Sequence, residues 1–336
     1  MIKNKKRLVI FLIISLCLAT GGVLASMSTS LGGFGSGRGG RGSSGYITQG
    51  SRSGRSSTLP NQQFLSSREN TSLFQWDANP EFPQDAFTFV RIAYDASISG
   101  YSTGSNYYGR QTGGFSGRGG RGGGMMIGGG GRSGIDYPDS DNNFSYRLHQ
   151  LTSIAVNPDP KYITLDNPDL CNYPFIYIVE PGNMYIPENQ VKILREYLLN
   201  GGFLMIDDFW GTSQWSNVRN EMRRVFPDRA PVELTLDHPI FHCVFELKKL
   251  PQIPAWDIAV NRSTDELTGT TSESGYPPSY YGIYDDKGRM MVVICRDTDL
   301  GDGWEREGMS HTFFSEFSEK QAYPLGINIV FYAMTH

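Results

Sequence analysis

The chain predicts an α/β domain in which a parallel sheet is covered by helices on both faces. Two observations carry this. Short β-branched and aromatic runs alternate with segments whose apolar residues recur at helical spacing. The central runs are apolar at consecutive positions, as strands buried on both faces must be.

"AFTFVRIAYD" (86–95) is the first expected strand. "NFSYRLHQLTSI" (143–154) follows as a helix with Phe144, Leu148 and Leu151 on one face. "YPFIYIVEPG" (173–182) is a strand apolar on both faces. "PENQVKILREYLLNGG" then reads as a helix with Pro187 in its first turn, Val191, Leu194 and Leu198 on one side, and Gly201 to stop it. "GFLMIDD" is the next buried strand, and "SQWSNVRNEMRRVFP" a helix with Trp215, Val218, Met222 and Val225 in register. "YYGIYDDKGRMMVVICRD" (280–297) reads as a β-hairpin turning at Asp285 to Gly288, and "YPLGINIVFYAM" as a closing apolar helix.

Before this body lie segments of other kinds. Lys3, Lys5, Lys6 and Arg7 precede an apolar run from Leu8, and Val23-Leu24-Ala25 fits a cleavage site, so residues 1–25 read as a signal peptide. The alternative is an uncleaved membrane anchor over residues 8–25. Either reading places the body outside the cytoplasm, periplasmic or secreted, with membrane contact only through this segment. Residues 26–67 form a Gly/Ser/Arg-rich linker, and residues 68–336 one domain interrupted at 100–134 by a second such stretch. "SGRGGRG" occurs in both, at 36–42 and 116–122. Without periodic apolar residues both stretches are expected to be disordered.

Loss of residues 1–25 removes four positive and no negative charges, taking the net charge from −4 to −8. That balance speaks against nucleic acid as a partner, despite the Arg-Gly repeats. Three cysteines remain, Cys171, Cys243 and Cys295, with no metal-type spacing, so neither a disulfide scaffold nor a thiolate metal site is expected.

The chemistry-bearing residues cluster at strand ends. Asp207 and Asp208 close an apolar strand and read either as a site or as acids facing water where the strand runs out. Consecutive strand residues point to opposite faces, so they converge only if the chain turns there. Glu180 ends the preceding strand, where open α/β sheets bind ligands. Asp95, Asp297 and Asp299 stand at comparable points but are expected to serve local turns. An acidic rim of this kind suits a divalent cation, or a polyhydroxylated ligand whose hydroxyls donate to carboxylates. In "LDHPIFHCVFE", His238 and His242 are four apart, but Pro239 between them leaves His238 outside any helix, and no HExxH pattern occurs. Arg219, Arg223 and Arg224 read as a solvated helix face, and Trp210, Trp215, Trp256 and Trp304 as packing. Neither a phosphate-cradling loop nor a G-x-S-x-G elbow is present.

The segments "FTFVRIAY", "YPDSDNNFSYRLHQLT", "YPFIYIVEPG", "LREYLLNGGFLMIDDFWG", "VFPDRAPVELTLDHPIF" and "YPLGINIVFYAM" resemble the bacterial domain-of-unknown-function family 4159 over about residues 86–336. The resemblance implies a flavodoxin-like three-layer fold of the class I glutamine-amidotransferase-like group, to which the C-terminal β-hairpin read above is added. In working members of that group the strand matched to 203–207 leads into a G-x-C-x-G elbow bearing the nucleophile. Here the stretch is I-D-D-F-W-G, so glutaminase chemistry does not carry over.

The expected function is therefore a non-catalytic binding domain of the cell envelope. Its crevice, around Glu180, Asp207, Asp208 and His238, would take a small polar ligand or an envelope protein. No resident cofactor is expected, and a divalent cation is the one ion the acids suit. The alternatives are a hydrolase of a sugar or amide, with Asp207 or Asp208 as base or metal ligand, and a structural surface component.

Overall fold

The computed structural model describes Trp76 and residues 85–96, 132–259 and 274–336. The expected leader or anchor, the linker, and residues 100–131 of the expected insertion lie outside the described residues. Residues 132–134, expected to belong to that insertion, are part of the folded body. Ser133 is buried and its hydroxyl lies 2.8 Å from that of Tyr162.

The described strands are β1 (Val90–Ala93), β2 (Asp95–Ala96), β3 (Lys161–Thr164), β4 (Phe175–Val179), β5 (Met184–Tyr185), β6 (Phe203–Asp207), β7 (Val232–Leu234), β8 (Ser279–Tyr284) and β9 (Met290–Arg296). Seven of them form one sheet in the order β3-β1-β4-β6-β9-β8-β7. The first five run parallel. Counted along the chain they stand 2-1-3-4-5, the flavodoxin-like order, whose switch point lies between β1 and β4. The expected hairpin is β8–β9, and β7 extends it antiparallel at the sheet edge. β2 and β5 pair separately.

Among the described residues the main helices over the sheet are α1 (Asp139–Leu151), α2 (Glu188–Leu199), α3 (Gly211–Val225), α4 (Leu300–Glu305) and α5 (Tyr323–Thr335), the last preceded by a π-helical segment (Phe314–Ala322). Strand alternation divides the core in two. Phe89, Phe175, Tyr177, Phe203 and Met205 face Phe144 and Leu148 of α1, Trp304 of α4 and Ile329 of α5. Val90, Ile92, Ile176, Ile178, Leu204 and Ile206 face Val191, Leu194 and Leu198 of α2 and Val218 and Met222 of α3. Asp207 continues the Phe203–Met205 series and so points toward the α1, α4, α5 layer. Among the described residues no helix is long and apolar enough to cross a membrane.

Helix α1 departs from expectation at both ends. Leu151 is 50 % exposed, so its buried face rests on Phe144 and Leu148. The helix also begins four residues early, at Asp139, because its first turn is buried by polar contacts that leave no apolar period. Arg91 of β1 and Asp141 of α1 are both fully buried as an ion pair. The Arg91 guanidinium also donates to Ser140 Oγ (2.7 Å) and to the Ile135 carbonyl (2.6 Å).

Candidate functional site

The parallel strands end together, and acids follow three of them. On β6 the Asp207 carboxylate is fully buried. Its Oδ2 accepts from Tyr177 Oη (3.1 Å) and from the backbone amides of Leu300 (2.8 Å) and Gly301 (3.2 Å). Its Oδ1 is buried without a hydrogen bond. Burial pushes this carboxyl up to about 7, against the pull of the Leu300 amide and the Tyr177 hydroxyl.

The chain turns at the next residue. Asp208 has φ 57°, a left-handed conformation, which breaks the strand alternation that would have sent its side chain to the opposite face. Its Oδ1 accepts from Trp210 Nε1 (3.0 Å). Asp299 follows β9 and caps α4, its Oδ1 accepting from the Asp302 amide (2.7 Å). Asp136 approaches from the loop before α1, itself at φ 61°. Carboxylate oxygens of Asp136, Asp208 and Asp299 all lie within 4.8 Å of one another.

Glu180, at the end of β4, flanks this group. It is left-handed at φ 48°, its side chain pairs with Arg132, and its carbonyl accepts from Tyr94 Oη (2.6 Å). Among the described residues, the non-glycine positions with positive φ are Asp136, Glu180, Asp208 and Asp297. Each is an acid in a turn at or beside the strand ends. Such conformations cost on the order of 1–3 kcal/mol each and concentrate where a structure holds a function.

Charge compensation separates the two acidic groupings here. Asp136 also approaches Asp302 and Glu305, but Arg306 pairs with both Asp302 (3.2 Å) and Glu305 (2.7 Å). Asp136, Asp208 and Asp299 make no ion pair among the described residues. Burial first, and the neighbouring carboxylates second, hold all three well above the usual carboxylate range.

The structure thus brings Glu180, Asp207 and Asp208 together and places His238 elsewhere. Pro239 opens a single 3₁₀ turn (Pro239–Phe241), and His238 caps it by accepting from the Ile240 amide through Nδ1 (3.2 Å). Its Nε2 lies 3.3 Å from Tyr284 Oη, its ring packs near Tyr332, and burial lowers its basicity. His242 contacts Glu246 and the Leu236 carbonyl instead. Asp95 is exposed on β2. Asp297 and Asp299 do more than serve local turns: Asp297 Oδ1 accepts from the Gly211 amide (2.8 Å) and Ser274 Oγ (2.5 Å) across a long stretch of chain. Cys295 is buried within β9, Cys243 bonds near α5, and Cys171 is exposed. Asp136 escaped the sequence reading because it adjoins a Gly-rich tract and lies far in sequence from the residues it meets.

The family model for a domain of unknown function, DUF4159, matches residues 126–334. The chain belongs to this family. The DUF4159 region contains Asp136, Glu180, Asp207, Asp208 and Asp299, so the whole cluster is built within it, and only β1 and β2 of the described strands precede it. No curated protein matches the chain.

Proposed function

We propose that this chain is a binding domain of the cell envelope that takes a divalent cation at Asp136, Asp208 and Asp299, with Glu180 and Asp207 beside it. The convergence of three carboxylates from separate segments, none of them in an ion pair among the described residues, carries this reading. Like charges that close in a buried site cannot all ionise unless protons or a cation neutralise them. The grouping offers oxygen alone, with no histidine or thiolate, which favours Ca²⁺, Mg²⁺ or Mn²⁺ over Zn²⁺. Three carboxylates leave coordination positions for water or for hydroxyl and carbonyl groups of a polar ligand. The leader-like N-terminus supports the envelope location.

Thermal unfolding of the full chain with each cation tests the proposal. A cation at about 100 times its dissociation constant adds roughly 2.7 kcal/mol, a rise of several degrees. Asp208→Asn and Asp299→Asn should each abolish it. Asparagine tolerates the left-handed turn, so Asp208→Asn keeps the backbone. An equal shift in both variants, or none in wild type with any of the three ions, rejects the site.

A hydrolase is the second reading, favoured by Asp207 alone. A carboxyl pushed up to about 7 with one oxygen free of hydrogen bonds is suited to accept a proton from water. That reading requires cation-dependent turnover of a glycoside or amide that Asp207→Asn removes while the thermal shift persists.

A further inference from the structure

The outer face of α3 and the loop after it border an open hollow of about 370 Å³. Its polar side chains are Ser216, Arg219, Asn220, Arg223, Arg229 and Asp228. All but Asp228 can donate hydrogen bonds. Arg229 is held in place, Nη1 donating to the Tyr284 carbonyl (3.2 Å) and pairing with Asp286 (2.9 Å). Arg223 Nη2 donates to Asn220 Oδ1 (3.2 Å), and the Arg219 guanidinium lies 5.7 Å from the centre of the Trp215 ring. Neither Arg219 nor Arg223 makes an ion pair among the described residues. Arg224, their neighbour, is instead engaged by Glu188 and Glu221.

Helix-dipole complementarity accounts for arginines in the last turn of α3, Arg223 and Arg224. It does not account for Arg219 farther back; Arg229, beyond the helix, is paired with Asp286 and approaches Asp228 at 4.0 Å. In a chain of net charge −4, Arg219 and Arg223, two guanidiniums without an ion pair among the described residues, share one hollow and mark a local reversal of sign. Guanidinium forks match the oxygens of a phosphoryl group, and a serine and an asparagine can complete its hydrogen bonds. We infer that this hollow binds a phosphate ester.

The inference is independent of the acidic site, and the full chain tests it by calorimetric titration with inorganic phosphate and glycerol 3-phosphate against chloride of equal ionic strength. Both phosphates should bind, with affinity falling as salt rises. Arg219→Ala/Arg223→Ala should weaken them by about tenfold or more, through loss of charge-assisted hydrogen bonds. Both arginines are exposed, so the fold should survive. Arg219→Lys/Arg223→Lys should fall between the two, and Asp208→Asn should bind phosphate as wild type does. Co-sedimentation with phosphatidate vesicles, with phosphatidylcholine vesicles as control, separates a lipid headgroup from a soluble ester as the source. No binding beyond chloride, or an alanine or lysine variant as tight as wild type, overturns the inference.

Discussion

Protonation of the Asp207 carboxyl links the site to stability. Its value rises from 3.8 in the exposed state to about 7 in the fold. Between these values the folded chain retains a proton that the unfolded chain has released, so stability falls as pH rises from about 4 to about 7 and stays low above that. Asp136, Asp208 and Asp299 are shifted in the same direction and steepen the fall. Urea unfolding should therefore give a higher midpoint at pH 5 than at pH 7.5, the reverse of a protein held by ionised, paired carboxylates. Asp207→Asn should lessen the difference. Its amide oxygen can still accept from Leu300 and Gly301, while its NH₂ group takes the position of the oxygen without a partner. A saturating divalent cation should lessen it too, by replacing the protons. A midpoint that climbs with pH would contradict the assignment. Arg91 shows the opposite solution to burial: Asp141 outweighs the desolvation that by itself would lower the arginine, and the guanidinium stays charged.

At the scale of elements, α4 lies against the acids through a glycine. A Cβ on Gly301 would stand 2.8 Å from Asp136 Oδ2 and 3.3 Å from Asp299 Oδ1. The first contact is too short, and the Asp136 carboxylate is the part free to move. Gly301→Ala should therefore weaken cation binding severalfold while changing the melting temperature without cation little, read by the same thermal titration. A large loss of stability with unchanged affinity would show that the glycine serves packing alone. Strands β1, β4, β6, β8 and β9 and helices α1, α2, α3 and α5 were legible in the sequence because their signals are local, apolar runs for β4 and β6 and helical spacing in α2 and α3. Strands β3, β5 and β7 and helix α4 were not, being too short to carry a period. The site was legible only where it sits on such an element, at Glu180, Asp207 and Asp208. Asp136 and Asp299 join through a turn and a cap whose meeting depends on the order of strands. His238 drew attention through its spacing to His242, a pattern that Pro239 converts into a capped turn.

Across the whole molecule, the acidic cluster and the arginine hollow lie on opposite layers. The acids gather on the side of α1 and α4, whereas the arginine hollow opens on the outer face of α3, which packs on the other face of the sheet. Sites without shared partners act almost independently. The stabilisation by cation and phosphate together should equal the sum of each alone within about 0.5 kcal/mol, measured by urea unfolding with neither, either and both. A larger departure would reveal coupling through the sheet. The same sheet has one further consequence, set by its borders. Its outermost strands are short, four residues in β3 and three in β7, and each carries a charge, Lys161 on one and the exposed Glu233 on the other. Long, flat, apolar borders invite a foreign strand to add on; these offer few backbone groups and a charge to bury. Neither border of this largely parallel sheet is a ready template for aggregation.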